Sequence, residues 1–202
     1  MCVFKEKSMN TLLRIDSSLR LEDSYSRRMG DYFVNQWIMK HPDRAVIQRD
    51  TTTHPTPHLT QQTYDAFLDE SLHSEGLLLS DELIDELYRS SEILITCPMY
   101  NYGIPSSLKA YFDLVIRTRK TFMYDHGIKG LLSGKKAHII SVAGGIHSAP
   151  GGMNPLEIHL TSILNHMGIR DIRYFPLEGT AAPDQLSEKI NVIETSIFKY
   201  LN

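Results

Sequence analysis

The run Pro98–Met99–Tyr100–Asn101–Tyr102–Gly103–Ile104–Pro105 carries the densest chemical information in the chain. Two prolines fix φ and remove backbone donors at its ends, and Gly103 is expected to take a conformation that a Cβ would forbid. The N–H groups of Met99, Tyr100, Asn101 and Tyr102 would then stand as a fixed array facing the edge of a flat polar ligand. A second glycine-bearing loop, Ala143 to Pro155, opens with Gly144 and Gly145, which remove side chains where backbone must come close to something bulky. An ordinary turn explains a Gly pair equally well, but two such loops on one sheet edge would bracket a planar ring. A third stretch, Asp16 to Ser26, is dense in hydroxyls and opens an amphipathic segment. Free N–H donors and a positive dipole end make such a helix start a receptor for phosphate, although Ser there also serves simply as a cap. The stretch lacks both G-x-G-x-x-G and G-x-x-x-x-G-K-[ST], so it suits a single phosphate monoester rather than a dinucleotide or a triphosphate.

The elements that must position these loops follow from hydrophobic periodicity. Apolar runs predict strands at Thr11–Ile15, Ala45–Arg49, Ile93–Cys97, Lys136–Val142 and Ile169–Phe175. Helical spacing links Met29, Tyr32, Phe33, Trp37 and Ile38, then Leu108, Tyr111, Phe112 and Val115, with Ser106 and Ser107 as expected caps. Gln61–Gly76 is weakly helical. Leu77–Arg89 is strongly so, with Ser80 expected as its N-cap and Asp81, Glu82, Asp85 and Glu86 on a solvated face. Leu156–Met167 and Asp184–Leu201 complete the helices. Ahead of the Lys136–Val142 strand, Lys120–Lys129 is a short extended piece with a His-Gly turn. Strands alternating with helices imply a mostly parallel, doubly wound α/β sheet, and ligand loops after the first, third and fourth strands favour the order 2-1-3-4-5.

Composition narrows the partners. A chain of 202 residues with 42% hydrophobic and 22% charged residues suits one domain spanning residues 1–202, its first ten residues a frayed lead. A net charge of −3 with scattered bases argues against nucleic acid, and Arg27–Arg28 and Lys135–Lys136 read as solvated surface pairs. No apolar run is long enough to cross a bilayer and residues 1–10 lack a signal core, so a cytoplasmic protein without a membrane partner is expected. Two cysteines make no disulfide framework, and Cys97 reads as a core hydrophobe. Nine histidines show no metal-ligand spacing, so no metal site is expected. Asp50, which could mimic the acid that binds a dinucleotide ribose, reads as a turn or capping residue in the absence of the glycine fingerprint.

The ordered loops PMYNYGIPSSLKAYFDLV (98–115) and AGGIH (143–147) resemble the FMN-dependent NADH:quinone oxidoreductase and azoreductase family of flavodoxin-like fold, from Thr11 to the C-terminus. The resemblance implies FMN as bound cofactor, NADH as co-substrate, and two-electron reduction of quinones and aromatic azo compounds by a ping-pong mechanism. FMN itself carries the chemistry. It places phosphate and ribityl contacts on Ser18, Ser24, Tyr25 and Ser26, and isoalloxazine contacts on Pro98, Met99, Tyr100, Asn101 and Tyr102 together with Val142, Ala143, Gly144 and Gly145. His147 would donate to the pyrimidine side of the flavin or cap its loop. Asn101 and Tyr124 would orient the second substrate, Tyr124 otherwise covering the edge of the core. His166 stands where relatives carry an aromatic over the flavin. Well-known members have a Ser or Thr and an Arg where this chain has Val142 and Ala143, which bears on flavin tuning and substrate range. A homodimer with the flavin at the subunit boundary is also implied. The competing reading is a flavodoxin-type electron carrier for protein partners, which direct NADH oxidation would exclude. A flavin-free phosphate or nucleotide sensor on the same fold is a third, which tight FMN binding would exclude.

Overall fold

The computed structural model describes residues 11–69, 71–148 and 154–202, so the expected lead at 1–10 and the middle of the loop at 143–155 lie outside the described residues. The strands are β1 (Leu12–Asp16), β2 (Val46–Asp50), β3 (Glu92–Pro98), β4 (Phe122–Tyr124), β5 (Ile128–Gly130), β6 (Lys136–Val142) and β7 (Asp171–Leu177). The helices are α1 (Tyr25–Lys40), α2 (Gln61–Leu68), α3 (Glu75–Arg89), α4 (Ser106–Val115), α5 (Pro155–His166) and α6 (Leu186–Leu201). Five strands pair in parallel in the order β2-β1-β3-β6-β7, while β4 and β5 form a separate antiparallel hairpin. Without the hairpin strands this is the expected 2-1-3-4-5 order of a flavodoxin-like sheet. β6 falls on its expected residues and β3 runs one residue further at each end, whereas β1 and β2 each lie one residue beyond expectation and β7 lies two residues beyond Ile169–Phe175.

Side chains alternate across the sheet because strand periodicity is two. Leu13, Ile15, Ile93, Ile95, Cys97 and Ile139 pack under α3, α4 and α5 against Leu83, Leu87, Tyr111, Phe112 and Leu160. Leu12, Leu94, Ile140 and Val142 face the other way, onto Met29, Phe33 and Trp37 of α1 and Ile193 and Ile197 of α6. Truncating a fully buried ring such as Trp37 or Phe112 to Ala in such a core costs about 3–5 kcal/mol.

Several local expectations are corrected. Helix α3 begins at Glu75 with Ser74 as N-cap, its side chain accepting from Leu77 N at 3.0 Å; Ser80 is buried inside the helix and donates to Leu114 O at 2.6 Å. The helix extends back through Gly76, which sits in the first turn, to the earlier serine, whose hydroxyl accepts the free Leu77 N–H. The acids are not all solvated: Glu86 is buried against Arg49, while Asp81 meets Arg117 at 2.6 Å. Neither Ser106 nor Ser107 caps α4, whose N-cap is Pro105; Ser107 Oγ instead lies 3.0 Å from Thr51 Oγ1. Lys135 also leaves the solvated class. Its Nζ donates to Tyr88 O at 3.1 Å and to Ser90 O, and burial draws its pKa down to about 8.

The order reverses between β1 and β3, so the loops after β1, β3 and β6 meet at the carboxyl edge of the sheet. The β4–β5 hairpin lies at the opposite edge, beside the end of α3, where Tyr88 Oη donates to Lys120 O at 2.5 Å, and the end of α5, where Leu132 N donates to Met167 O at 2.9 Å.

Candidate functional site

The first loop supplies hydroxyls. Ser24 caps α1, its Oγ accepting from Arg27 N at 3.4 Å. The same oxygen donates to Ser18 Oγ at 3.0 Å and lies 3.2 Å from Ser26 Oγ. Ser18 Oγ accepts from Arg20 N at 3.3 Å and lies 3.4 Å from the Tyr100 hydroxyl, which in turn accepts from Leu19 N at 3.1 Å. Four hydroxyls and the first turn of α1 thus share one place. Hydroxyl hydrogens rotate, so this chain of mutual bonds can turn its donors toward an anion.

The second loop is a tight hairpin. Tyr100 N donates to Gly103 O and Gly103 N to Tyr100 O, both at 3.0 Å, while Met99 N donates to Val142 O at 2.7 Å. Two of the four N–H groups expected to face a ligand are therefore engaged by the protein. The left-handed residues are Asn101 (φ 49°) and Tyr102 (φ 64°), not Gly103, as a turn with two positive-φ central residues requires. A Cβ on Gly103 would come no nearer than 3.8 Å to Tyr100 O, so the expected steric reason for that glycine fails.

The third loop is locked from behind. Thr180 N and Ala181 N donate at 3.1 Å to the carbonyls of Ala143 and Gly144, and Gly179 N donates at 2.9 Å to that of Gly145. These carbonyls face the 179–181 segment rather than open space. Among the described residues, the nearest atom to a Cβ on Gly144 would be Ala181 Cβ, at 3.7 Å. Glu178 clasps the residues beyond Gly145, accepting from His147 N and Ser148 N at 3.2 Å each, from Ser148 Oγ at 3.1 Å and from Asn154 Nδ2. Partial burial works to raise its pKa, but these donors outweigh burial and hold the carboxyl below its ordinary value.

The three loops enclose a cleft of about 310 Å³ lined by Ser18, Ser24, Tyr25 and Ser26 from the first, Pro98, Met99 and Tyr100 from the second, and Val142 and Gly144 from the third, with Arg20, Asp23, Thr180 and Ala181. Asn101 lines instead an adjoining groove of about 890 Å³, together with Leu19, Ile104, Lys109 and His159; the two spaces share Met99 and Tyr100. Tyr102 and His147 stand beside the cleft as an edge-to-face pair. Ala143 is buried and Gly145 packs near the His147 ring.

A family model described as a flavodoxin-like fold matches residues 10–197. The FMN-dependent NADH:quinone oxidoreductase of Hydrogenovibrio crunogenus is 39% identical over 184 residues, covering 87% of this chain and 91% of that one. Its counterpart in Xanthobacter autotrophicus is 41% identical over 174 residues, covering 81% and 84%. The chain belongs to the FMN-dependent NADH:quinone oxidoreductase family. Among solved structures, an azoreductase from Bacillus anthracis strain Sterne superposes with a TM-score of 0.87 at 20% identity, covering 96% of this chain and 99% of that one. An FMN-dependent NADH-azoreductase from the same species, strain Ames Ancestor, solved in complex with FMN, gives 0.82 at 22% identity, covering 96% and 100%. At these identities the superpositions speak for the fold.

For an oxidoreductase of this family, the cleft fits FMN on its own terms: a hydroxyl set at a helix start at one end and two main-chain loops at the other, with Gly144 presenting no side chain to it. Tyr124 and His166 are not brought to it. Tyr124, 72% exposed, and His166 gather around Phe122, with ring centroids 5.7 and 4.4 Å from it, at the amino edge of the sheet. Sequence reading also missed Glu178 and Arg27. Arg27, expected in solvent, is bidentate to Asp50 at 2.6 and 3.1 Å and donates to the carbonyls of Ser18 and Arg20. Asp50 does serve a turn, accepting from Thr52 N at 2.9 Å and Thr53 N at 3.2 Å, and Arg27 is what that turn holds.

Proposed function

We propose that this chain is an FMN-dependent NADH:quinone oxidoreductase that also reduces aromatic azo compounds, with NADH and the acceptor occupying the same place in turn. The observation that carries the reading is the convergence of three loops on one cleft: hydroxyls of Ser18, Ser24 and Ser26 at a helix start, Pro98–Tyr100, and Val142–Gly144. Ser18, Ser24, Tyr25 and Ser26 would hold the phosphate and ribityl groups, and the backbone of the other two loops would hold the ring system, flanked by Asn101, Tyr102, Ala143, Gly145 and His147. Bound FMN supplies a ring that accepts a hydride equivalent and gives it up again. The protein contributes position, exclusion of water and N–H dipoles where negative charge gathers. Asn101, which lines the adjoining groove, would orient the acceptor.

The assembly is a homodimer in this reading, because Tyr124 can line a substrate pocket only if it reaches the cleft of a second copy. No helix of the described residues is long and apolar enough to cross a membrane. The reading places the protein in the cytoplasm with small-molecule partners.

The test is spectroscopic. Purified protein loaded with FMN should bleach under NADH without oxygen and recover on addition of a quinone, and varied-substrate kinetics should give parallel reciprocal plots. A protein that binds no FMN ends the assignment.

A further inference from the structure

Arg27 has its side chain 13% exposed and is engaged on every nitrogen. Its Nη1 and Nη2 grip Asp50 at 2.6 and 3.1 Å, Nη2 also donates to Ser18 O at 2.8 Å, and Nε donates to Arg20 O at 3.1 Å. Thr52 Oγ1 donates to the same Ser18 carbonyl at 3.0 Å. A trans peptide points its C=O and N–H in opposite directions. By drawing the carbonyls of Ser18 and Arg20 to itself, Arg27 turns the N–H groups of Leu19 and Leu21 the other way, and that of Leu19 meets the Tyr100 hydroxyl at 3.1 Å. The guanidinium therefore sets the backbone from which Ser18 presents its hydroxyl to Ser24.

Charge acts in the same direction. Two buried or little-exposed carboxylates share the two guanidiniums: Asp16 lies beside Arg14 at 2.8 Å and Arg27 at 4.0 Å, and Asp50 on Arg27, while the exposed Asp31 takes the other side of Arg14. Removing Arg27 leaves the little-exposed Asp50 without its cation and Asp16 with Arg14 alone, on the side of Ser18 where a dianion would sit, while Arg20 at the cleft is unchanged. A neutral ligand would be indifferent to that change.

We propose that Arg27 is the positioning residue that makes the cleft select phosphorylated flavin over its dephosphorylated form, by holding the Ser18–Arg20 backbone in its anion-receiving arrangement and neutralising Asp50 behind it. The inference rests on the cofactor reading above and deepens it.

The test compares dissociation constants of FMN and riboflavin, read by flavin fluorescence on titration into the full-length protein stripped of flavin. Wild type should prefer FMN. Arg27→Met should lose about 10- to 100-fold in FMN affinity, the loss of charge-assisted bonds worth about 1.5–3 kcal/mol, while riboflavin affinity moves by less than about threefold, so that the preference collapses. Thr52→Val, which leaves every charge in place, should show the same selective loss at about three- to fivefold and decides the matter if Arg27→Met does not fold. Equal weakening of both flavins would make Arg27 mere scaffold and overturn the inference, as would a preference unchanged in both variants. Wild type that binds FMN while the variants keep its preference overturns this inference alone; wild type that binds no FMN overturns the cofactor reading and this inference with it.

Discussion

Tyr102 meets His147 edge to face, with ring centroids 5.5 Å apart and planes at 90°. The contact joins the loop after β3 to the loop after β6, beyond the main-chain tie of Met99 N to Val142 O at 2.7 Å. Tyr102 makes it from a left-handed backbone (φ 64°), the residue as a whole 77% exposed. A bulky residue in that region costs about 1–2 kcal/mol, which the turn accepts to place a ring there. Tyr102→Asn should keep the turn, since Asn tolerates φ > 0, and remove the ring pair, worth about 0.5–1.5 kcal/mol. The two changes nearly offset in stability, so the midpoint of urea unfolding should move little. In steady-state kinetics with a quinone, kcat/KM should fall about two- to tenfold, the rate equivalent of the lost contact.

Glu178 carries a pH dependence with a defined sign. Its carboxyl is held below its ordinary value near 4.5, so its contribution to stability is present above that pH and is lost as pH falls through it toward the lower folded-state value. Glu178→Gln imitates the protonated group. At pH 7 the variant should be less stable by about 1 kcal/mol, the partial exposure of the site reducing what four donors would otherwise contribute. Urea unfolding from pH 7 down to pH 3 should show the two proteins converging below pH 4.5. A gap that stays constant over that range would mean that Glu178 acts by shape rather than charge.

The sheet was legible because its signals are local. The Ile93–Cys97 run sits between turn residues, β6 falls on Lys136–Val142 as expected, and Trp37, Phe33 and Met29 mark the buried face of α1 at helical spacing. What escaped depends on pairings made across the fold. Arg27 finds Asp50 only because β1 and β2 pair in a register that sets Asp16 beside Asp50. Nothing within a few residues of Arg27 announces this. Glu178 likewise comes just after a strand end, where an acid is commonplace until the 143–148 loop folds over it. Gly103 misled for a different reason: in this tight turn the glycine takes the fourth position, and the positive φ falls on the Asn and Tyr before it. For Tyr124 and His166 the expectation rests on analogy, and the path of the chain carries both to the far edge of the sheet.

Cys97 is fully buried at the end of β3, and burial pushes its thiol far above the range in which thiolate forms at neutral pH. Iodoacetamide should therefore leave Cys97 untouched in the native protein and label it in urea, as mass spectrometry of the peptide containing residues 92–109 would show. Cys97→Ala should retain FMN binding and NADH oxidation, at a stability cost of about 1 kcal/mol for the small cavity. Labelling of native Cys97 at the rate of an exposed thiol would contradict its place in the core.

Gly130 and Gly168 hold the β4–β5 hairpin against the end of α5, and both must lack a side chain. Helix α5 ends in paired bonds, Gly168 N to Asn165 O at 3.0 Å and Ile169 N to Leu164 O at 2.9 Å, a cap that needs a left-handed residue and finds it in Gly168 at φ 96°. Gly130 packs directly on that cap: a Cβ added to it would fall 2.1 Å from Gly168 N and 2.3 Å from Met167 C, both backbone atoms that cannot swing aside. Gly130→Ala must push the hairpin off the helix, and should destabilise by about 3 kcal/mol or more, in the range of severe overpacking. Gly134, also at positive φ (83°) but with none of the described residues within 4 Å of where a Cβ would stand, provides the control. There Ala meets backbone strain without a clash, and the cost should stay near about 1 kcal/mol. Because the hairpin carries Tyr124 while the cleft proposed for FMN lies at the opposite edge of the sheet, Gly130→Ala protein that remains folded at low temperature should bind FMN with wild-type affinity yet show a raised KM for quinones. Loss of FMN binding in parallel with the KM change would mean that the hairpin supports the cleft within its own chain, against the two-copy arrangement proposed for Tyr124.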